Sequence, residues 1–290
     1  MAVVISMILS YHPMYVGNEN RLCAGRDPGP EDRSAMERAG AVILPQGCRE
    51  PLYWMAAEAC PHVFPNYAAR FRYPGKVGQA GLFRNQNAPH PETMAFSSAF
   101  DFRNRCRRGQ CRPPGGFPAV FKLDRGGDGE NVLRLDGPVD LETAVSIAER
   151  TERDGRPGFL LQRWVPGGNR TLRVAVIGNV YRSYWRVGDD PAEFKAGLAD
   201  GGRIDFHGRP GLQTVGRKTV ADFCRKTGIN LAGFDLLFEN DRPLFLEINY
   251  FFGRKGLGGS AGFYPLLIDA IHRWLRDRGL TPAFQHDVDF

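Results

Sequence analysis

The sequence predicts an α/β protein made of three consecutive parts, and three patterns indicate this. Short apolar runs alternate with helical segments at the start of the chain, whereas later apolar runs come in pairs joined by tight turns. Clusters of proline and glycine stand between the parts. With 42% hydrophobic and 24% charged residues, the 290-residue chain has the balance of an ordinary globular protein, and its net charge of +6 favours anionic partners.

The first part is expected to be a small parallel sheet with crossover helices. Apolar runs at 3–10, 41–47 and 62–67 predict strands, and the segments 31–40 and 50–60 predict helices. The opening run lacks a basic region and a small-residue cleavage site, so we expect a buried strand there rather than a signal peptide. No apolar run reaches the ~20 residues of a membrane span, and we expect no membrane partner.

The second part follows two stretches rich in proline and glycine. We expect a basic helix at 98–108, a strand at 118–123 and a strand at 159–165. Between these strands, the segment starting at Asp140 has the apolar spacing of an amphipathic helix and stops at Gly155.

The third part is expected to consist of two hairpins and two helices. The predicted elements are a hairpin at 171–187, a helix near 217–227, a hairpin at 233–249 and a closing helix at 264–279.

Six cysteines are scattered along the chain without a Cys-x-x-Cys pair, at positions 23, 48, 60, 106, 111 and 224. In a chain of this size such cysteines are typical of reduced thiols in a cytoplasmic protein. No histidine or second cysteine pair completes a zinc set beside Cys106 and Cys111. We therefore expect a cytoplasmic location and no zinc site.

The Gly-Asn dipeptide at 178–179 predicts a two-residue hairpin turn. This turn pairs Arg173 with Tyr184 and puts three arginines, Arg173, Arg182 and Arg186, on one face of the hairpin. Two interpretations are open: a solvated outer face, which is common in antiparallel sheets, and a clamp for phosphate oxygens.

The apolar strand at the end of the second hairpin carries Glu247 and Asn249 two residues apart, and hence on one face. A three-residue turn at 240–242 would place Asp235 opposite Glu247. Two close carboxylates repel each other unless a cation lies between them. Because all three donors are oxygen atoms, the set predicts Mg²⁺ or Mn²⁺. The alternative is a surface hairpin with acidic residues.

Lys122 is the only charged residue of the apolar run at 118–123, and a glycine-rich turn follows it. A lysine in such a strand is usually an edge residue whose charged end reaches solvent. The following glycines also permit the backbone to close over phosphates, with Lys122 as a phosphate ligand.

In their order along the chain, these motifs resemble those of the ATP-grasp superfamily, and most closely its ribosomal-protein glutamate ligase and glutathione synthetase branch. The resemblance covers most of the chain. It implies an ATP-grasp fold with a Rossmann-like pre-ATP-grasp subdomain at 1–80. A central subdomain with the glycine-rich loop would follow at 81–166, and a C-terminal subdomain with the metal site at 167–290.

The resemblance also implies roles for individual residues. The residues that match ATP-binding positions of the family come from two lysine motifs, the glycine-rich loop, the strand between the two ATP-binding lobes, and a later segment. They are Lys76, Lys122, Gly127, Gln162, Arg163, Trp164, Val165 and Lys195. Arg173 and Arg186 match phosphate-contacting arginines with a catalytic role, and the metal set is Asp235, Glu247 and Asn249. Arg163 stands where the family usually has Glu, and Thr171 where relatives carry an acidic residue.

The glycine-rich segment after the metal strand carries Arg254 and Lys255. Two cations on such a loop suit a carboxylate-bearing substrate or an acyl phosphate. The alternative is a mobile basic loop that binds no ligand.

The function implied by the resemblance is that of an ATP-dependent carboxylate–amine ligase. ATP would phosphorylate a carboxylate, and an amine would attack the acyl phosphate to give an amide or peptide bond, ADP and phosphate. The expected partners are a small molecule or peptide with a carboxylate and an amine acceptor, and a homodimer is possible. One alternative is an ATP-grasp phosphotransferase. A less favoured one is a nucleic-acid-binding protein, suggested by five arginines at 103–112.

Overall fold

The computed structural model describes residues 7–124, 126, 131–188 and 202–283, and within them three sheets carry the helices. The strands of these sheets are β1 (Ile8–Ser10), β2 (Glu19–Asn20), β3 (Ala41–Ile43), β4 (Val63–Phe64), β5 (Thr93–Phe96), β6 (Ala119–Leu123), β7 (Val132–Leu135), β8 (Phe159–Arg163), β9 (Arg170–Ile177), β10 (Val180–Val187), β11 (Arg203–Asp205), β12 (Leu231–Glu239) and β13 (Arg242–Asn249). The α-helices are α1 (Pro30–Arg38), α2 (Glu50–Ala59), α3 (Ala68–Arg72), α4 (Gly75–Asn85), α5 (Ala99–Arg107), α6 (Pro138–Arg153), α7 (Pro210–Thr227) and α8 (Gly259–Arg276).

The first sheet is parallel, with strand order β2-β1-β3-β4. This confirms the parallel sheet predicted from the alternating strands and helices. Its strands are short: β3 ends at Ile43, two residues before Pro45, because proline cannot donate a hydrogen bond to a neighbouring strand. Strand β1 begins at Ile8, and residues 3–6 of the expected strand lie outside the described part of the chain.

The second sheet is antiparallel, with strand order β5-β8-β6-β7. It has its own apolar core against α5 and α6, in which the rings of Phe96 and Phe159 stack with centroids 5.0 Å apart. Strand β6, which bears Lys122, lies between β8 and β7. The interpretation of Lys122 as an edge residue is therefore wrong.

The third sheet is antiparallel, with strand order β11-β10-β9-β12-β13. The β9–β10 hairpin has the predicted two-residue turn, and Arg173 pairs with Tyr184 as expected. The three-residue turn predicted for β12–β13 is wrong, because Glu239 pairs with Arg242 and only two residues form the turn. Both turn residues, Asn240 and Asp241, have positive φ angles (50° and 61°), as a type I′ turn requires.

Helix α7 begins at Pro210 rather than near 217, the expected start. A proline is compatible with the first turn of a helix, whose N–H groups have no partner in the helix. The helix ends as predicted at Gly228, which has a left-handed conformation with φ 73°.

The first and third sheets share their apolar cores. One core joins residues of α1 and α2 with Val174, Phe234 and the α7 side of the third sheet. The other joins Ile8 and Ile43 of the first sheet with Ala175 and the apolar face of α8. The second sheet is thus the separately packed unit. The boundary expected at residue 80 lies within α4, and the one expected at 166 lies between β8 and β9.

None of the helices in the described part of the chain combines the length and apolar composition needed to cross a lipid bilayer. All six cysteines are free thiols, in agreement with the expectation of reduced cysteines.

Candidate nucleotide and metal site

Asp235 of β12 and Glu247 of β13 are direct cross-strand partners, as predicted. The shorter turn alone would have put them out of register by one residue. A β-bulge corrects this, because the register shifts between Asp235 and Leu236 and leaves Leu246 as the extra residue. The pair therefore forms through two features, a two-residue turn and a bulge, that the sequence analysis did not foresee.

Two arginines of the neighbouring hairpin bind the carboxylate of Asp235. Arg173 donates from Nε to Oδ1 at 2.6 Å and from Nη2 to Oδ2 at 3.0 Å, and Arg186 Nη2 lies 2.7 Å from Oδ2. Arg173 is 6% and Asp235 5% exposed, so the solvated-face interpretation is wrong for this pair. Burial alone would raise the pKa of Asp235, but the two guanidinium charges hold it below its ordinary value.

The third arginine of this face does not join the other two. Arg182 pairs with Ala175 towards the turn of the hairpin and is exposed. Arg186, in contrast, is partly buried, and its Nε has no hydrogen-bond partner among the described residues. An unpaired buried donor of this kind is suited to an anionic ligand.

Glu247 and Asn249 complete the predicted donor set on the same face. Asn249 donates from Nδ2 to Asp235 Oδ2 at 3.1 Å. The side chain of Glu247 is 31% exposed, which leaves its carboxylate accessible to a ligand. Gly233, the cross-strand partner of Asn249, keeps this face open: a β-carbon there would lie 2.9 Å from Arg173 Nη1.

The types of donor fit a hard divalent cation, since two carboxylates and one amide lie on a single sheet face, and a cation at Asp235 would replace the hydrogen bond from Asn249 Nδ2 to Asp235 Oδ2. The described residues contain no group of three or more His, Cys, Asp and Glu side chains that could hold a metal. A cation at Asp235 and Glu247 would thus depend on Asn249, water and a bound ligand for its remaining coordination.

Lys76 approaches this face from the first turn of α4. Its Nζ lies 3.6 Å from Glu247 Oε1 and donates to the carbonyl oxygen of Gly126 at 2.8 Å. Gly126 belongs to the glycine-rich segment after β6. Lys76 therefore contacts both β13 and the start of the glycine-rich segment.

Lys122 of β6 belongs to the same charged group. Burial lowers its pKa to about 8, while the charge of Glu247 opposes this shift and the charge of Lys76 adds to it. Asp124, two residues after Lys122, bonds to the first turn of α4, which bears Lys76. Lys76, Lys122, Arg173 and Arg186 thus converge on the Asp235–Glu247 pair.

The four predicted positions at 162–165, at the end of β8 and directly after it, have different environments. Gln162 is buried and donates to Thr93 Oγ1 at 2.9 Å, and Val165 is buried. Arg134 stacks on the ring of Trp164, 5.2 Å from the ring centroid.

Arg163 makes contacts that the sequence did not predict. Its guanidinium forms two hydrogen bonds with Glu239 at the end of β12, of 2.7 and 2.8 Å, and its backbone N–H donates to the carbonyl of Glu92 at 2.8 Å. The N–H of Arg163 is therefore already used within the protein. Both the side chain and this N–H connect β8 to other segments.

Arg254 and Lys255 lie on the loop after β13. Arg254 stacks on the rings of Phe263 and Tyr264 and donates to the hydroxyl of Tyr264 at 2.8 Å, whereas Lys255 is exposed. The loop packs against the third sheet, because a β-carbon at Gly256 would overlap the ring of Tyr184.

Tyr184 is the cross-strand partner of Arg173. The loop of Arg254 and Lys255 therefore lies next to Arg173. Two of the predicted ligand-binding residues, Gly127 and Lys195, lie outside the described residues.

The arginine-rich segment at 103–112 is partly neutralised within the chain. Arg103 pairs with Glu142 and Glu149, and Arg105 pairs with Asp101. These ion pairs reduce the charge that the segment could offer to a nucleic acid.

Two further residues of the site were not found from the sequence, Gln79 and Asp124. Gln79 bonds to the backbone of Ile248, and Asp124 bonds to the first turn of α4. The only available signal was the spacing of Gln79, which follows Lys76 by three residues and so shares its face of the helix.

Comparison with protein-family models gives no match for this chain. The chain is 29% identical over 150 residues to a probable alpha-L-glutamate ligase of Cellvibrio japonicus, covering 51% of this chain and 47% of that protein. A probable alpha-L-glutamate ligase of Parasynechococcus marenigrum is 25% identical over 213 residues, covering 71% and 43%. The chain therefore spans about half the length of the curated relatives it matches.

Solved structures of low sequence identity share the fold over most of the chain. A RimK domain ATP-grasp protein from Sphaerobacter thermophilus has a TM-score of 0.59 at 14% identity and covers 91% of this chain and 98% of its own. D-alanine–D-alanine ligase from Bacillus anthracis, solved with ATP, has a TM-score of 0.58 at 14% identity and covers 85% and 82%. The resemblance inferred from the motifs is thereby confirmed: the chain has the ATP-grasp fold.

Proposed function

We propose that this protein is an ATP-dependent carboxylate–amine ligase that forms an amide or peptide bond and releases ADP and phosphate. The observation that carries the proposal is the convergence of Lys76, Lys122, Arg173 and Arg186 on the Asp235–Glu247 pair. Support for the ligase chemistry comes from the relatives, which are named probable alpha-L-glutamate ligases, and from the structural neighbours.

The charges of the site favour a polyanionic ligand. Four cationic side chains face two carboxylates, which leaves an excess of two positive charges in a partly buried site. A lone divalent cation would add to this excess, whereas a triphosphate would neutralise it. We therefore propose that Mg²⁺ or Mn²⁺ binds together with ATP and not before it.

The cation would be held by Asp235, Glu247 and Asn249. When bound, it would offset the charge that develops on the transferred phosphoryl group. The ATP-grasp ligase PsnB, whose structure was solved with Mg and ADP, aligns with this chain with a TM-score of 0.52 and 19% sequence identity.

The reaction needs no nucleophilic side chain of the protein. A carboxylate oxygen of the substrate attacks the γ-phosphorus and ADP leaves; the amine then attacks the acyl carbon, loses a proton, and phosphate leaves. Arg173 and Arg186 would stabilise the negative charge on the phosphoryl oxygens, and Lys76 and Lys122 would orient the triphosphate.

We propose that the carboxylate substrate binds beside the loop of Arg254 and Lys255. This loop packs on Tyr184, next to Arg173, and its exposed Lys255 is available to an anionic group. The names of the relatives make glutamate a candidate substrate, as a free amino acid or at the end of a peptide. A homodimer and a cytoplasmic location remain part of this proposal.

The proposal is tested by measuring ADP release with Mg²⁺ across amino acids and small carboxylates, with hydroxylamine as the amine. The expected result is a hydroxamate that accumulates in step with ADP, because hydroxylamine traps the acyl phosphate. A stable phosphorylated alcohol, without hydroxamate, would contradict ligation and favour the phosphotransferase.

A further inference from the structure

The first turn of helix α4 is hydrogen-bonded to Asp124, which directly follows β6, the strand that bears Lys122. Asp124, two residues after Lys122, accepts a hydrogen bond from the N–H of Val77 through Oδ1 at 2.7 Å. Its carbonyl oxygen accepts another from the N–H of Lys76 at 3.2 Å. These contacts link the start of α4 to the second sheet.

The next turn of α4 is hydrogen-bonded to β13 of the third sheet. Gln79 donates from Nε2 to the carbonyl oxygen of Ile248 and accepts from the N–H of Ile248 through Oε1, both at 2.8 Å. The side chain thus pairs with both backbone groups of one residue, as a neighbouring strand would. Gln79 is 9% exposed, so water cannot readily replace these bonds.

Ile248 stands between Glu247 and Asn249, the two candidate cation ligands of β13. Lys76 precedes Gln79 by three residues and therefore lies on the same face of α4, where its Nζ is 3.6 Å from Glu247 Oε1. The pairing of Gln79 with Ile248 hence fixes the position of Lys76 relative to the cation ligands.

We propose that Gln79 is a positioning residue for ATP binding, which acts through Lys76. Together with Asp124 it makes α4 a spacer that sets the distance between the phosphate-binding lysines and the cation ligands of β13. This inference rests on the proposed function, because the role of Lys76 in binding ATP belongs to it.

The effect of removing the pairing follows from its burial. In Gln79→Met the side-chain volume is nearly kept, but the N–H and carbonyl of Ile248 lose their partners. The first turn of α4 would then be held by Asp124 alone, and Lys76 would no longer be fixed opposite Glu247. We expect ATP to bind about tenfold more weakly, the loss of roughly one charge-assisted contact.

The test is a double-mutant cycle on Mg²⁺–ATP affinity, measured by calorimetry on the wild type, Gln79→Met, Lys76→Met and the double variant. If Gln79 acts through Lys76, Gln79→Met weakens binding in the wild-type background and has no further effect once Lys76 is replaced. Equal weakening in both backgrounds, or unchanged affinity of Gln79→Met, would overturn the inference.

A matched control is Gln213→Met. Gln213 is also buried on a helix, α7, and donates to the backbone carbonyl of Phe206 at 2.8 Å. We expect this variant to lose stability but to keep its ATP affinity within about twofold.

Hydrogen exchange of the Ile248 amide gives a readout without ATP, and we expect it to be faster in Gln79→Met but not in Gln213→Met. The milder variant Gln79→Asn, whose shorter side chain cannot reach both groups, is used if Gln79→Met does not fold.

Different results would contradict the proposed function and the role of Gln79. A wild type that does not bind ATP, yet protects the Ile248 amide through Gln79, contradicts the proposed function. A wild type that binds ATP as tightly as Gln79→Met contradicts only the role of Gln79.

Discussion

Arg173 and Asp235 form a two-pronged ion pair in which both side chains are 7% exposed, with Nε–Oδ1 at 2.6 Å and Nη2–Oδ2 at 3.0 Å. Burial of either charge alone would be costly, so each is stable there only because the other is present. Asp235 has therefore two roles in this account: it is a candidate cation ligand and it balances the arginines that would face the phosphates.

The first prediction concerns Asp235→Asn. Because this change leaves the guanidinium of Arg173 buried without its counter-charge, we expect unfolding free energy to fall by about 3–5 kcal/mol. Urea denaturation measures this loss. Glu247→Gln is the matched control, since Glu247 is 31% exposed and pairs with Lys76 only at 3.6 Å. A loss as large in the control would contradict the assignment of separate roles.

The second prediction concerns Glu247→Ala. We expect loss of Mg²⁺-dependent ATP turnover with the fold intact, because one of the two carboxylates proposed to hold the cation is gone. Turnover and circular dichroism are measured together, with the exposed Glu37→Ala of α1 as control. Full turnover in Glu247→Ala would remove Glu247 from the cation site.

The third prediction concerns Lys122→Met. Removal of this charge should weaken ATP binding about tenfold or more, the loss of a charge-assisted contact of ~1.5–3 kcal/mol. Calorimetry with Mg²⁺–ATP measures the affinity, and the exposed Lys226→Met of α7 serves as control. Affinity equal to that of the control would show that Lys122 does not bind phosphate.

The Gly-Asn turn specifies a single register, so the pairing of Arg173 with Tyr184 could be predicted from it. The turn at Asn240 and Asp241 was predicted to be one residue too long, and a bulge at Leu246 has no sequence signature that would have revealed the compensation.

Tertiary contacts between distant segments were beyond prediction. Gln79 reaches Ile248 across 169 residues of sequence, and Arg163 meets Glu239 across 76. The first contact joins α4 to the third sheet, and the second joins the second sheet to the third. An amide on a helix, or an arginine at the end of a strand, carries no signal of its partner.

The fourth prediction is a pH dependence of stability that involves His12. Burial, with a further effect of the Arg254 charge, lowers the pKa of His12 from 6.5 to about 4. The ring of Tyr264 faces the imidazole of His12, and His12 Nδ1 accepts a hydrogen bond from the N–H of Met14 at 3.1 Å. The folded protein therefore resists protonation of His12, whereas the unfolded chain does not.

The direction of the pH dependence of stability follows from this difference between the folded and the unfolded protein. The stabilisation by neutral His12 is fully present above pH 6.5 and is lost as pH falls towards 4, by up to ~3 kcal/mol. In His12→Asn, which can still accept from Met14, the melting temperature should fall less between pH 7 and pH 4.5. An equal fall in variant and wild type would show that other groups cause the acid sensitivity.

The central claim is that ATP phosphorylates a carboxylate at the Asp235–Glu247 site, and oxygen isotope transfer tests it most directly. The carboxylate that best supports ADP release is labelled with ¹⁸O on its carboxyl oxygens, and the released phosphate is analysed by mass spectrometry. Ligation through an acyl phosphate transfers one labelled oxygen to each phosphate, because the P–O bond formed with the substrate remains when the amine displaces the phosphate. Phosphate free of label, with both labelled oxygens left on the substrate, would contradict the account.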